Sequence, residues 1–597
     1  MTNSNTSSQL AMPKEIPVAS PESLRRGLRA RTTLKGRQPT ASAVDDVRAL
    51  IGAPPHRRDM LIEHLHALND AYRALHDHHL VALSAEMGLP MAEVYEVASF
   101  YHHFDIVRAG ESPPPAVTVR VCEGLPCELA GGGDLLARLG KLLDTTVRVI
   151  SAPCVGRCET APVAVVHQRP VLHATCERVV QTLRDNALEH PIAADDAEFD
   201  PVRHPTPASR ELSPAYVGYD AYRAAGGYAL ARAIVLGDRD ANEVLTTMEA
   251  SELRGLGGAG FPAGRKWRIV RDQPAPRLMA VNIDEGEPGT FKDRTYLERD
   301  PHRFLEGVLI AASVVGIDAV YIYLRDEYHG CRALLSREIA RLQADPPCRL
   351  PVFHLRRGAG AYICGEESAM IESIEGKRGE PRMRPPYIAQ VGLFGRPTLE
   401  HNFETLYWVR DIVSRGAPWF TSFGRRERKG LRSFSVSGRV KHPGVKRAPA
   451  GITARELIDE YCGGMQDGHD FYAYLPGGAS GGILPASLGD VPLDFDTLHA
   501  YGAFIGSAAV IVLSSHDRAR DAALNAMRFF AHESCGQCTP CRVGTAKATA
   551  LMQAPHWDAD TLDDLNTVMA DASICGLGQA APNPVRSVLR YFAREVS

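Results

Sequence analysis

The chain has 597 residues, more than one hydrophobic core serves, so several domains are expected. Hydrophobic residues make up 45% and charged residues 23%, an ordinary globular balance, and the net charge of −4 offers no basic field for a phosphate backbone, which excludes nucleic acid as an expected partner. The first ten residues are mostly polar with no apolar core after them, and the longest apolar runs, Val308–Ile317 and Ala503–Leu513, are shorter than the ~18–20 residues needed to cross a bilayer, so a cytoplasmic protein with no membrane span is expected.

In chain order, residues 1–45 are rich in Ser, Thr, Pro and Arg and read as a mobile tail, with a basic stretch at Leu24–Arg37. Residues 46–114 carry apolar positions at three- and four-residue spacing, with Leu61, Leu65, Leu68 and Tyr72 as one stripe, and predict helices. Residues 115–190 form a compact unit with strands in AVTVRVC, TTVRVIS and APVAVVH and a helix over Gly133–Leu143. Residues 191–215 are Asp-, Pro- and Ser-rich and read as a linker. From 216 to 430, strands such as LMAVNID and AVYIYL alternate with helical stretches, which predicts a parallel α/β sheet. Residues 431–515 turn to short strands with one helix, and 516–597 are helical.

Eight of the thirteen cysteines fall into two unequal groups, a pattern for metal rather than disulfides. Cys122, Cys127, Cys154 and Cys158 supply four thiolates as C-x4-C and C-x3-C, enough for a 2Fe–2S centre; structural zinc is the alternative, which the wide first spacing suits less well. Cys535, Cys538 and Cys541, joined by Cys575, have the three-plus-one pattern of a 4Fe–4S centre. The other five, Cys176, Cys331, Cys348, Cys364 and Cys462, read as small buried hydrophobes. Two centres of different nuclearity imply one-electron transfer.

Three motifs lie in the α/β region. RGLGGAGFPAGRKW (Arg254–Trp267) offers backbone N–H groups and the cations Arg265 and Lys266 to an anionic group. NIDEGEPGTFKDR (Asn282–Arg294) follows a strand, which places Asn282, Asp284, Glu285 and Glu287 where α/β sheets bind ligands. The third, Arg356 to Tyr387, has Gly358, Gly360 and Gly365 ahead of Glu366 and Glu367. Taken singly, each admits tight turns and helix caps as a full account.

On these motifs, residues 215–597 resemble the flavin- and NADH-binding subunit of respiratory NADH dehydrogenase and its soluble relatives. Residues 45–190, including EVYEVASFYHHF (Glu93–Phe104), resemble that family's thioredoxin-like 2Fe–2S subunit. The union of both in one chain is similar to the large diaphorase subunits of soluble NAD-reducing nickel–iron hydrogenases. The resemblance implies a multidomain α/β protein: a helical segment and thioredoxin-like 2Fe–2S domain, a Rossmann-like FMN/NAD domain, a small β-grasp-like domain and a C-terminal helical 4Fe–4S domain.

It also implies that FMN lies against Gly255, Gly257, Gly258 and Lys266, with Asn282, Asp284 and Gly365 lining it and Asn402 on the phosphate side. Glu285 and Glu366 belong to the same cofactor-binding set. NAD(H) then meets Phe261 and Tyr387 at the adenine, and the catalytic-site carboxylates Glu287 and Glu367 at the riboses, where they orient the dinucleotide rather than transfer protons and disfavour a 2′-phosphate. Departures from the family are Arg384 in place of a lysine, Ile269 in place of an aromatic residue, and His401–Asn402 in place of paired asparagines. The implied partners are a small iron–sulfur diaphorase subunit and hydrogenase subunits. The neighbouring readings are the NADH-oxidising subunit of a respiratory complex or of an NAD-dependent formate dehydrogenase, and, in another class, a cluster-binding scaffold without NADH chemistry.

Overall fold

A computed structural model describes residues 36–193 and 214–597. Most of the expected tail and linker lies outside the described residues. The helix Ala41–Ile51 nevertheless begins inside the span expected as tail. Thr40 caps it by accepting the N–H of Ala43, and Ala43 and Val47 are buried on its inner face, so two short apolar side chains anchor a helix that no long periodic run announces. Leu61, Leu65 and Leu68 bury one face of the helix Leu61–Tyr72, as their spacing requires.

The helices up to Phe100 are tied by a two-residue parallel ladder, β1 (Leu75–His76) with β2 (Ile106–Val107). The thioredoxin-like region follows as β3 (Val117–Cys122), β4 (Val147–Ala152), β5 (Ala164–Val166) and β6 (Arg169–Val171), in the order β4-β3-β5-β6. Only the β3–β4 pair is parallel, and the helix Gly132–Leu142 makes its crossover.

The flavin-domain sheet is wholly parallel: β7 (Arg277–Ile283), β8 (Ile317–Leu324), β9 (Val352–Arg357) and β10 (Thr398–Asn402), in the order β10-β7-β8-β9. β7 and β8 are nearly continuous in buried apolar side chains, as a sheet covered on both faces demands. The helices Pro301–Val315 and Phe403–Arg415 cover one face, with Phe304 stacked on Phe403 at 4.5 Å between ring centroids. All four strands end on the same edge, and the register sets Asn402 beside Asn282 there.

A mixed sheet comes next, ordered β12-β11-β15-β13-β14, from β11 (Leu431–Gly438), β12 (Gly444–Pro449), β13 (Phe471–Ala479), β14 (Leu484–Pro485) and β15 (Ala509–Ser514). The central pair β11–β15 is parallel, the others are antiparallel, and the helical turn Ala454–Tyr461 crosses between β12 and β13, in agreement with a β-grasp-like unit. The chain ends in helices Ala519–Glu533, Thr539–Met552, Ala559–Ala572, Gly576–Ala580 and Pro582–Tyr591. Among the described residues, no helix is long and apolar enough to cross a membrane.

Candidate functional site

Strand β7 ends at Ile283, and the turn after it carries the acidic motif. Asn282 donates its side-chain N–H to the Gly365 carbonyl at 2.9 Å and accepts the Asp284 N–H at 3.0 Å, so it joins the second and third motifs across the strand ends. Gly365 closes the 3₁₀ turn Tyr362–Gly365, directly before the helix Glu367–Ile374. Glu366 caps that helix, accepting the N–H groups of Ser368 (3.0 Å) and Ala369 (2.9 Å).

The glycine loop closes on the opposite side. The Gly255 N–H donates to the Phe261 carbonyl at 2.8 Å, and Gly258 faces the backbone of Gly506. A Cβ at Gly257 would stand 3.0 Å from that of Asn402, so a side chain there would displace the asparagine. Asn402 itself accepts the Thr405 N–H at 3.3 Å as a helix cap and donates to Asp293 at 2.5 Å. Lys266, on the helix Ala263–Arg271, binds the carbonyl and carboxylate of Glu400, each at 3.0 Å.

The carboxylates differ sharply in what they already hold. Glu285 is buried and accepts the N–H of Asp293 (2.8 Å) and of Arg294 (3.1 Å) and the Tyr328 hydroxyl (3.0 Å). Burial, then the neighbouring Asp293, pushes its carboxyl up to about 7. Glu287, also buried and raised by burial, accepts the Ser480 N–H (2.8 Å), the Ser480 hydroxyl (2.7 Å) and the Tyr362 hydroxyl. Those three donors leave one of the carboxylate's roughly four lone-pair positions open. Asp284 contrasts with both: its Oδ2 is buried with no partner, and burial holds the carboxyl well above its usual range. Glu367 is partly exposed, raised by burial and by Glu400, and lies 3.2 Å from Arg384, which also pairs with Glu366.

Phe261 in the glycine loop and Tyr387 at the end of the third motif are both exposed, at 38% and 56%, and the Arg265 guanidinium lies 5.6 Å from the centre of the Phe261 ring. Of the family departures, Ile269 is half-buried, and His401 accepts the Trp267 indole N–H at 2.8 Å, fully enclosed and kept neutral by burial and Lys266.

The cysteines assemble as two separate groups. Cys122 ends β3, Cys127 lies in the short helix Leu125–Leu129, and Cys154 and Cys158 flank the turn after β4, with their sulfurs 3.4 Å apart. All four are buried free thiols. A Cβ at Gly124 would lie 3.2 Å from the Cys154 Cβ and 3.5 Å from the Cys122 sulfur, so glycine lets the two ligand loops close on one centre. Cys535 and Cys538 occupy the turn between the helices Ala519–Glu533 and Thr539–Met552, Cys541 enters the second of them, and Cys575 caps the helix Gly576–Ala580. Of the remaining five, Cys176, Cys331, Cys364 and Cys462 are buried as expected and Cys348 is only half-buried; burial pushes Cys364 and Cys462 each up to about 12.

Charged side chains join these parts in a way no sequence motif announces. Arg294 donates to the Gly156 carbonyl at 2.9 Å and pairs with Glu298 (2.6 Å) and Glu159, while Arg157 meets Glu298 at 2.9 Å. Arg325 donates to the Cys154 carbonyl at 2.7 Å. The flavin-domain strand ends are thereby bolted to the first cysteine group. Toward the second group, Tyr362 gives its hydroxyl to Glu287 and its N–H to Glu533 at 2.9 Å, two residues before Cys535.

Comparison with known proteins decides the family. Residues 47–187 match the thioredoxin-like 2Fe–2S ferredoxin family, residues 248–411 the Nuo51 FMN-binding domain, and residues 521–597 the NADH-ubiquinone oxidoreductase-F iron–sulfur binding region. The chain is 41% identical to the mitochondrial NADH dehydrogenase (ubiquinone) flavoprotein 1 of Dictyostelium discoideum, over 60% of this chain and 79% of that protein. The chain belongs to the NADH dehydrogenase flavoprotein family. The mitochondrial NADH-ubiquinone oxidoreductase 51 kDa subunit of Neurospora crassa is 40% identical, over 59% of this chain and 76% of that one. A crystal structure of NAD+-reducing NiFe hydrogenase in its H2-reduced state has a chain of the same fold, with a TM-score of 0.77 and 30% identity over 91% of this chain and 94% of that chain.

As a member of this family, the protein is an NADH-binding, NAD-dependent flavin and iron–sulfur oxidoreductase with FMN-binding, 2Fe–2S and 4Fe–4S regions. The residues on the strand edge fit such a flavin: an orphaned buried carboxylate oxygen on Asp284, a glycine cradle under Asn402, and a lysine close by. The two thiol groups fit thiolate-bound clusters, each with four cysteines.

Proposed function

We propose that the chain is the diaphorase subunit of a hydrogen-oxidising complex in the cytoplasm and reduces NAD+ with electrons that enter through the 4Fe–4S centre. One observation carries this reading. The Neurospora crassa 51 kDa subunit covers 59% of the chain, whereas the chain of the NAD+-reducing hydrogenase covers 91% of it, thioredoxin-like region included. The partners are then a small iron–sulfur diaphorase subunit and the hydrogenase subunits. The 40% identity to that mitochondrial protein supports NADH oxidation within a respiratory complex as the second reading.

When bound, FMN would supply the exchange between the single electrons of an iron–sulfur centre and the electron pair that a nicotinamide takes up as hydride. The chain's part is to hold the reactants together and tune their charge. Gly255, Gly257, Gly258, Lys266 and Asn402 hold the flavin's phosphate side, and Asn282, Asp284 and Gly365 line its ring and ribityl chain. Glu285 works through the loop that it ties down. Phe261 and Tyr387 stack on the adenine, and the open lone pair of Glu287 and the exposed edge of Glu367 accept ribose hydroxyls. Arg384 neutralises Glu366 and Glu367 in part, while the net negative charge left beside the riboses repels a 2′-phosphate. Cys122, Cys127, Cys154 and Cys158 hold the 2Fe–2S centre, and Cys535, Cys538, Cys541 and Cys575 the 4Fe–4S centre. The proton that NAD+ reduction with single electrons consumes (NAD+ + 2 e− + H+ → NADH) is drawn from solvent, and Glu287 and Glu367 orient the riboses rather than relay it.

The native complex, purified without oxygen and assayed for NAD+ reduction with hydrogen and then with formate, tests the reading. Hydrogen-dependent reduction is expected. Formate-dependent reduction alone, or NADH oxidation with artificial acceptors alone, would move the chain to another branch of the family.

A further inference from the structure

A group of metal-ligating side chains lies outside both cysteine sets and the flavin edge. His102 stands in the turn after the helix Met91–Phe100, and His532 and Glu533 close the helix Ala519–Glu533. One ligand atom from each lies within 4.8 Å of the other two. The imidazole centroids of His102 and His532 are 4.2 Å apart, and the His532 Nδ1 is 3.2 Å from a Glu533 oxygen. Two ligands of a tetrahedral ion at ~2.0–2.1 Å are separated by about 3.3 Å, a spacing that the His532–Glu533 pair already has.

The surroundings support ligation rather than mere packing. Glu533 is buried, and its second oxygen accepts the Tyr362 N–H at 2.9 Å, the kind of outer contact that orients a ligating carboxylate. His532 is 47% exposed, which leaves a direction of approach from solvent. An ion pair of His532 with Glu533 at the helix end would account for those two residues, but not for the second imidazole brought against them from a distant part of the chain.

We propose that His102, His532 and Glu533 bind one divalent transition ion of the zinc class, with solvent in the fourth position. Two imidazoles and a carboxylate suit that class better than magnesium or calcium. The ion clips the N-terminal helical segment to the helix that leads into the second cysteine group.

The native complex is incubated anaerobically with a small excess of zinc sulfate and desalted. Zinc and iron are then counted by mass spectrometry, and the zinc shell is read by X-ray absorption. Wild type is expected to retain one more zinc per copy of this chain than His102→Ala or His532→Gln, at unchanged iron, with nitrogen and oxygen at roughly 2.0–2.1 Å and no sulfur shell near about 2.3 Å. His102 is exposed, so its removal leaves the core intact. Equal zinc in wild type and both variants would overturn the proposal. So would a sulfur shell that grows as iron is lost, the mark of capture by cluster cysteines.

Discussion

Arg325 donates its guanidinium to the carbonyl oxygen of Cys154 at 2.7 Å, joining the end of strand β8 to a ligand loop of the first cysteine group. The same side chain reaches the Glu285 carbonyl and pairs with Glu327 at 2.7 Å. A cation held in the interior beside a cysteine loop stabilises added negative charge there more than solvent would. Arg325→Met is therefore expected to lower the midpoint potential of the 2Fe–2S centre, read by redox titration followed by electron paramagnetic resonance, with the 4Fe–4S potential little changed.

Arg294 serves the same interface as a structural bolt. Its replacement by Met leaves Glu159 and Glu298 buried with fewer cations, a change that costs on the order of 3–5 kcal/mol. Urea denaturation followed by cluster absorbance is expected to lose the 2Fe–2S signal at clearly lower denaturant in Arg294→Met than in wild type. An unchanged transition would contradict this role.

Glu287 and Ser480 form the pair most exposed to a test at the dinucleotide. Glu287→Gln keeps the size of the side chain but removes its charge, and a hydrogen bond to a charged group contributes ~1.5–3 kcal/mol. KM for NADH is expected to rise at least ~10-fold, with a smaller change in kcat. Discrimination against NADPH is expected to narrow in the same variant. A kcat loss at constant KM would instead place Glu287 in the transition state alone.

Buried histidines set a pH dependence of stability. The His66 Nε2 donates to the Gly358 carbonyl at 2.8 Å, and burial lowers the imidazole pKa to about 3. The folded state thus binds fewer protons than the unfolded chain between the ordinary value of 6.5 and about 3. Its contribution is complete above pH ~6.5 and is lost as pH falls, by about 1.4 kcal/mol per pH unit. Denaturation midpoints measured from pH 7.5 to 5.5 are expected to fall less steeply in His66→Gln than in wild type.

The eight cluster cysteines are legible in the sequence because ligand spacing is local: each set of close neighbours is written within seven residues or fewer. Strands β7 and β8 are legible from their apolar runs, but β9 and β10 are not. VFHLRR and TLEHN mix charge with apolar residues, and they pair only because β7 and β8 offer them free edges. Lys292, Asp293, Arg294, Arg303 and Glu306 are all nearly inaccessible, against the rule that such residues face water. Lys292–Asp293 and Arg294–Glu298 are local pairs, but the partners Glu159, Glu404 and Asp411 are far away in sequence, so no spacing reveals them. For the same reason nothing in the sequence marks Ser480 and Tyr362 as the groups that orient Glu287.

That one chain joins NADH to both iron–sulfur centres through its flavin edge is tested most directly by the paramagnetic resonance spectrum of the anaerobic protein after NADH is added, with and without FMN. Two distinct cluster signals are expected in the flavin-loaded protein and neither after FMN is removed. Clusters that reduce equally well without FMN, or that stay oxidised with it, would contradict the account.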